Sequence, residues 1–241
     1  MEKNYKYFLV DYRAKKQIKA LRNMGNNVIP VYSHPHLQSP VSAHPDMLIY
    51  SIYNHVIYAP GTSYTTLRAI RSLGFNLIKG ATTLTCNYPG DIAYNIARIG
   101  NKIFHNLKHT DNVLRDILEK YGFTFVHVNQ GYTKCNVCIL NDYAVITEDK
   151  GIASVLEREG IDTLLLPPGN VRLPGYSYGF IGGASGALND DILVFTGRIR
   201  DKAVSKRIEG FAEKHNKIIK YLSDNEIIDI GSIISLNQES L

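Results

Sequence analysis

At 241 residues, with 44% hydrophobic and 20% charged residues, the chain has the composition of a globular protein with a substantial core. Its net charge of +5 is spread over predicted helices without a basic stripe, which disfavours a nucleic-acid-binding role. The chain has no apolar run of membrane-spanning length, no recognisable cleavable leader, and three cysteines, an odd number that argues against a disulfide framework; we therefore expect a cytoplasmic protein.

Strand-like and helix-like segments alternate along the chain. The first is the apolar strand KYFLVDY, followed by the amphipathic helix AKKQIKALRNMG and the strand NVIPVY. MLIYSI and HVIYAPG are then strand-like, SYTTLRAIRSLG is helix-like and FNLIKGA is again strand-like. This order of strand, strand, helix and strand recurs three more times, and IIDIGSIISL near the C-terminus adds one further strand.

The recurrence has a period near 45 residues. Five apolar segments begin at Asp46, Asp91, Asn136, Gly183 and Asp229, which are 45, 45, 47 and 46 residues apart. This regularity predicts one supersecondary unit that is used repeatedly around a shared core, with the starts of the units meeting at its centre. The alternative is an ordinary α/β domain in which the spacing is fortuitous.

The fifth unit is predicted to be split between the two ends of the chain. The units cover residues 40–81, 82–129, 130–169 and 176–223, and the fifth combines 224–241 with 1–32. Pairing of the C-terminal strand with the N-terminal unit would close a ring and remove exposed sheet edges. The predicted fold is therefore α/β, a single domain over residues 1–241 with the five-fold pseudosymmetry of an α/β propeller.

The order of the units resembles the pentein superfamily, which includes arginine and agmatine deiminases, dimethylarginine dimethylaminohydrolase and amidinotransferases. YPGDIAYN, at residues 88–95, is similar to the acidic segment with which that family holds a guanidinium group, and Asp91 is the matching carboxylate. HPDMLIY places Asp46 at the corresponding point of the first unit. The resemblance implies binding, and hydrolysis or transfer, of a guanidino or amidino small molecule in a central cavity.

The carboxylates have a physical role in such binding. A guanidinium is planar and permanently charged, and its N–H groups fit a carboxylate through two parallel hydrogen bonds. Asp46 and Asp91 are expected to hold such a cation at the cavity floor, with Asp229 as a third carboxylate. Each aspartate could instead cap a turn where a strand begins.

Further polar groups are expected around the cavity. The loops 33–45 and 167–180 are rich in Pro, Gly and polar residues and are predicted to lie at its mouth. Arg172, in the second loop, is expected to bind a substrate carboxylate, so an arginine-like ligand would be held at both ends; the alternative is an exposed loop arginine. Asn136 and Ser185, at the starts of the third and fourth units, are additional predicted ligand-binding groups.

The catalytic residues that the resemblance implies are absent. The family uses a cysteine nucleophile in the last unit, where this chain has Gly231 and Ser232, and a histidine in the third unit, where it has Lys134, Cys135 and Asn136. A rearranged site would use Cys135 as the nucleophile, with its thiolate favoured by Lys134, and a histidine of the first long loop, His44 or His36, as the general base.

Cys135 also has a structural interpretation, because free cysteines often pack as small apolar residues. Cys135 and Cys138 are predicted on one strand, where residues three apart face opposite sides, so chelation of a metal by both is disfavoured. No metal or cofactor is expected. Two classes of function remain: an enzyme acting on a guanidino or amidino small molecule, and a non-catalytic binding protein such as a ligand sensor or a ribosome- or protein-binding factor.

Overall fold

The computed structural model describes residues 7–236. Its helices in this range are α1 (Lys15–Asn23), α2 (Pro45–Leu48), α3 (Tyr64–Arg71), α4 (Asn112–Lys120), α5 (Thr133–Asn136), α6 (Lys150–Arg158) and α7 (Lys202–Lys214). The strands are β1 (Tyr7–Asp11), β2 (Asn27–Val31), β3 (Ile49–Ile52), β4 (His55–Tyr58), β5 (Asn76–Lys79), β6 (Ala97–Ile99), β7 (Lys102–His105), β8 (Thr124–His127), β9 (Val137–Asn141), β10 (Ala144–Thr147), β11 (Asp162–Leu165), β12 (Ser185–Ala187), β13 (Ile192–Phe195), β14 (Ile218–Tyr221) and β15 (Ile234–Leu236).

The described strands form five small sheets of three strands each. Within every sheet the first and second strands are antiparallel, and the second and third strands are parallel and joined by a helix. The fifth sheet is assembled from both ends of the chain, because β15 pairs antiparallel with β1 and β1 pairs parallel with β2. The expected unit and the expected pairing of the two chain ends are therefore confirmed.

The connecting helices form where the sequence pattern predicts them, as α4 illustrates. Asp111 caps this helix by accepting a hydrogen bond from the Leu114 backbone N–H at 2.9 Å. Leu114 and Leu118, four residues apart, are fully buried against the sheets. Gly122, with a φ of 78°, adopts the left-handed conformation that follows the helix end.

The segments before the first strands of the five units meet one another. Their contacts run from unit to unit and return from the fifth to the first. The connecting hydrogen bonds are Asp46 N to Gly231 O, Asn95 Nδ2 to Asp46 O, Lys134 N to Asn95 O, Gly183 N to Cys135 O, and Ser232 N to Gly183 O.

Strand pairing corrects the predicted register of the repeat. The residues that pair with the same position of the second strand are Tyr50, Ala97, Cys138, Gly186 and Ile234. Asp46 lies four residues before its reference residue and Asp91 lies six before, so these two aspartates are not equivalent. The prediction was wrong because the loops that precede the first strands differ in length, which a constant sequence period cannot reveal.

Two further expectations also change. Cys135 belongs to the helical turn α5 and only Cys138 lies on a strand, so the predicted placement of both on one strand was wrong. Within residues 7–236, no three or more His, Cys, Asp and Glu side chains are grouped as they would be to hold a metal ion. The helices of the described part of the chain are all too short or too polar to cross a membrane.

Candidate functional site

Asp46 lies at the centre of a buried polar cluster. The helical turn α2 positions it, and its side chain is almost completely buried. Its Oδ2 accepts hydrogen bonds from Ser232 Oγ at 2.7 Å and from Cys135 Sγ at 3.3 Å, whereas Oδ1 is buried without a partner among the described residues. Burial raises the pKa of Asp46, and the nearby Lys134 ammonium and the two hydrogen-bond donors oppose that rise.

Ser232 connects Asp46 to Lys134. Its hydroxyl oxygen accepts a hydrogen bond from Lys134 Nζ at 3.0 Å and lies 3.0 Å from the Gly182 carbonyl. Ser232 is fully buried and has a φ of 67°, a left-handed conformation that residues other than glycine seldom adopt. Sequence reasoning assigned it no role, although its position in place of the family's cysteine was the available signal.

Cys135 is buried in the same cluster and remains protonated. Its sulfur lies 3.0 Å from Asn95 Nδ2 and donates toward Asp46. Burial raises the pKa of this thiol well above its ordinary value, and the negative charges of Asp46 and Asp229 raise it further. The environment therefore favours the thiol over the thiolate that a nucleophile needs.

Asn95, which the sequence reasoning missed, holds the cluster together. Its Oδ1 accepts from the backbone N–H groups of Lys134 at 2.8 Å and Cys135 at 3.2 Å. Its Nδ2 donates to the Asp46 carbonyl at 3.1 Å. Since Asn95 is fully buried, one amide side chain satisfies backbone groups of the first and third units. Asn95 is the last residue of the YPGDIAYN segment, which was interpreted through Asp91 alone.

Asp229 and His44 form a second buried pair beside Asp46. The Asp229 carboxylate accepts from the backbone N–H groups of Gly231 at 2.9 Å and Phe180 at 3.0 Å, and His44 Nδ1 lies 3.7 Å away. Burial, and then the charge of Asp46, raise the pKa of Asp229 to about 7. Burial lowers the pKa of His44 to about 3, so the imidazole is neutral at physiological pH.

Asp91 lies under a group of aromatic side chains. Tyr132 donates its hydroxyl hydrogen to Asp91 Oδ2 at 2.6 Å, and Asp91 Oδ1 is buried without a partner among residues 7–236. Burial raises the pKa of Asp91. The Tyr132 ring lies 5.6 Å from that of Tyr88 and 6.2 Å from that of Phe180. Asp91 therefore lies among aromatic side chains that do not line the cavity containing Asp46.

The other three predicted ligand-binding residues have local partners. Asn136 donates to the Tyr132 carbonyl at 2.9 Å, and Ser185 donates to the Gly182 carbonyl at 3.1 Å. The Arg172 side chain is 62% exposed, with Nε 3.6 Å from Glu226 Oε2. Thus Asp46, Cys135, Asp229 and His44 are brought into one cluster, whereas Arg172 lies at the surface.

Two cavities reach the cluster from different sides. A cavity of about 320 Å³ lies along the first strands of all five units, and Asp46, Lys134 and Ser185 are among its lining residues. A groove of about 1010 Å³ is lined by Arg172, and the pair Asp229 and His44 lies in its wall. The predicted arginine clamp and the predicted Asp46 carboxylate therefore belong to different cavities.

Comparisons with known proteins place the chain in a family and a fold. The model of a family described as "Family of unknown function (DUF6873)" matches residues 9–234, and the chain belongs to this family. No curated protein has a sequence that matches it.

Similar solved structures are SxtG, an amidinotransferase from Microseira wollei in the saxitoxin biosynthetic pathway, a DDAH variant from Pseudomonas aeruginosa in complex with citrulline, and agmatine deiminase from C. jejuni. Their sequence identities to this chain are 13%, 12% and 10%, and their TM-scores are 0.57, 0.58 and 0.56. The alignments cover 90%, 97% and 96% of this chain and 88%, 99% and 93% of the respective neighbours. At such identities the likeness shows the fold, which is that of the pentein superfamily.

Proposed function

We propose that this protein binds a guanidino or amidino small molecule in its central cavity. The observation that carries the proposal is that Asp46, which lines this cavity of about 320 Å³, buries a carboxylate oxygen with no hydrogen-bond partner among the described residues. A buried acceptor left unsatisfied costs about 1–3 kcal/mol, and more when it is charged. Ligand N–H donors would remove that cost.

The charge of the cluster supports a cationic ligand. Asp46 and Asp229 both have raised pKa values, and burial is the first cause for each. Lys134 lowers the pKa of Asp46 and of Asp229, yet the pKa of Asp229 still lies at about 7. A cation bound beside these carboxylates would favour their ionised forms, so binding and carboxylate ionisation would reinforce each other.

The solved neighbours support the same chemical class of ligand. One is an amidinotransferase, one is DDAH in complex with citrulline, and one is agmatine deiminase. The shared fold alone does not transfer an activity. The proposal therefore depends on the unpartnered carboxylate oxygen of this chain's own residues. Any hydrolysis or transfer would need a nucleophile other than the cysteine that the pentein enzymes use.

A thermal-shift titration with L-arginine, agmatine and guanidinium chloride tests the proposal. A ligand at 100 times its dissociation constant stabilises the folded state by about 2.7 kcal/mol, a rise of about 5–10 °C in the unfolding midpoint for a chain of this size. Asp46→Asn should reduce the rise, because an amide no longer accepts two charge-assisted hydrogen bonds, and Asp91→Asn should reduce it less, because Asp91 does not line this cavity.

Asp116→Asn is the matched control, because Asp116 is exposed on α4. The proposal fails if none of the three compounds shifts the midpoint of the unsubstituted protein. It also fails if Asp116→Asn reduces the shift as much as Asp46→Asn does.

Binding without chemistry is the second candidate function, as in a ligand sensor or a ribosome- or protein-binding factor. The protonated Cys135 thiol and the neutral His44 favour it, because both predicted catalytic groups are fully buried. Iodoacetamide labelling followed by peptide mass analysis tests this, with the exposed Cys86 as an internal reference. Cys86 should react in the folded protein, whereas Cys135 should react only on unfolding; fast labelling of Cys135 together with ammonia or urea release from a guanidine would favour the enzyme.

A further inference from the structure

The central cavity contains a second buried polar atom without a partner. Tyr50 Oη, like Asp46 Oδ1, is buried and has no hydrogen-bond partner among the described residues. Both residues line the same cavity of about 320 Å³. Buried tyrosine hydroxyls usually have a hydrogen-bond partner. Two unsatisfied groups in the lining of one cavity therefore suit a polar ligand that makes hydrogen bonds with both.

Arg98 brings positive charge to the Tyr50 side of this cavity. It lines the cavity, and its guanidinium is close enough to Tyr50 to oppose the rise in pKa that burial causes in the phenol. Its Nε donates to the Gly100 carbonyl at 3.2 Å, and its guanidinium lies 5.1 Å over the Phe123 ring. These contacts hold the side chain in place, and no ion pair joins Arg98 to a carboxylate within residues 7–236.

We propose that the central cavity binds a small zwitterion, with its guanidino or amidino group at Asp46 Oδ1 and its carboxylate at Arg98 and Tyr50. The inference rests on the proposed function for the Asp46 end and adds the carboxylate end. A guanidinium and a hydroxyl together supply the donors that a carboxylate accepts, and an arginine fork can bind it with two parallel hydrogen bonds. Arg98 thus takes the role that the sequence suggested for Arg172.

The size and the other charges of the cavity agree with this class of ligand. About 320 Å³ is at the lower end of the range for ligand pockets, which suits a molecule of amino-acid size. Lys134 Nζ is already bonded to Ser232, which leaves Arg98 as the cavity cation with no hydroxyl or carboxylate partner within the described range. Asp142 also lines the cavity, but its side chain is exposed.

Calorimetric titration of the full chain with L-arginine and agmatine tests the carboxylate end, because agmatine lacks that group. L-Arginine should bind about 10- to 100-fold more tightly than agmatine, the range expected for charge-assisted hydrogen bonds to one carboxylate. Arg98→Met should remove this preference and leave the agmatine affinity unchanged within about twofold. Tyr50→Phe should reduce the preference by a smaller factor, about 3- to 10-fold.

Arg115→Met is the matched control. The Arg115 guanidinium also lies over a phenylalanine ring, 5.6 Å from the centre of the Phe125 ring, but Arg115 is on the surface. It should leave both affinities unchanged. If urea titrations show that Arg98→Met is not folded, the test uses Tyr50→Phe and measures the same ratio of L-arginine to agmatine affinity. Equal affinities for the two ligands in the unsubstituted protein, or an unchanged preference in the folded variants, would overturn the inference and leave the proposed function standing. If neither L-arginine nor agmatine binds, both the inference and the proposed function are wrong.

Discussion

The central cavity and the outer groove differ in the state of their polar groups more than in their size. The groove, at about 1010 Å³, is the larger, but its arginines already have partners. Arg172 and Arg200 both pair with Glu226, at 3.6 and 3.1 Å, and Arg198 pairs with Asp224 at 3.1 Å. In the cavity of about 320 Å³, Asp46 and Tyr50 each have a buried polar atom with no hydrogen-bond partner within residues 7–236.

The comparison explains why we place the proposed ligand in the smaller cavity, which has unsatisfied buried groups, and not in the larger groove. Arg172, Arg198 and Arg200 are 56–77% exposed, and exposed ion pairs contribute about 0–1 kcal/mol each. Water can replace their contacts at little cost. The groups of the central cluster have no such alternative, so the fold must satisfy them with protein or with ligand.

Asn95→Ala should be the most damaging test of the central cluster. It leaves the buried Cys135 N–H and the buried Asp46 carbonyl without their Asn95 side-chain partner, whereas the Lys134 N–H keeps the Asn95 carbonyl as an acceptor. At about 1–3 kcal/mol for each buried group left unsatisfied, we expect a loss of about 3–5 kcal/mol in the free energy of unfolding, measured by urea titration. Asn76→Ala, at an exposed position of β5, is the control and should cost less than about 1 kcal/mol. Equal losses in the two variants would show that the hydrogen bonds of Asn95 stabilise the fold no more than those of an exposed asparagine.

The pair of Asp229 and His44 predicts opposite responses to pH. The folded-state pKa of Asp229, about 7, is above its ordinary 3.8, so its contribution to stability is fully present below pH 3.8 and is lost as the pH rises to 7. The folded-state pKa of His44, about 3, is below its ordinary 6.5, so its contribution is present above pH 6.5 and is lost as the pH falls. The two effects oppose each other between pH 4 and 6.5.

Asp229→Asn should expose the His44 effect. Relative to the unsubstituted protein, the free energy of unfolding of the variant should improve by roughly 3 kcal/mol between pH 4 and 7.5, because aspartate ionises in that range and asparagine does not. Urea titrations at three pH values measure the difference, and the difference for Asp116→Asn should stay constant. If the difference in free energy of unfolding between Asp229→Asn and the unsubstituted protein does not change with pH, burial does not hold the pKa of Asp229 near neutrality.

The repeating α/β architecture was predictable because each strand and helix leaves its own periodic pattern in the sequence. The gathering of Asp46, Cys135 and Asp229 also followed, since they precede the first strands of their units. Asn95 and Ser232 were missed because their importance lies in hydrogen bonds to other units, which no local pattern records. The strand register was needed to separate Asp46 from Asp91.

Tyr132→Phe tests the Asp91 region, which differs from the centre by its aromatic surroundings. The substitution removes the hydroxyl that donates to Asp91 Oδ2. Asp91 Oδ1 already has no partner among the described residues, so the carboxylate loses its hydrogen bond to Tyr132 and gains none. We expect a loss of about 1–2 kcal/mol at pH 7 by urea titration, and a further rise in the pKa of Asp91, because this hydrogen bond lowers it. Tyr178→Phe removes a hydroxyl from an exposed ring in the same aromatic group and should change stability by less than about 0.5 kcal/mol.

Arg172→Ala should have the smallest effect and separates the two cavities most directly. The side chain is 62% exposed and its nearest carboxylate, Glu226, keeps Arg200 as a partner, so stability should change by less than about 0.5 kcal/mol. Affinity for L-arginine in calorimetric titration should stay within about twofold, because Arg172 does not line the cavity that contains Asp46. A tenfold loss would return the ligand carboxylate to Arg172 and would place the ligand in the outer groove, where Asp229 and not Asp46 would hold its cation.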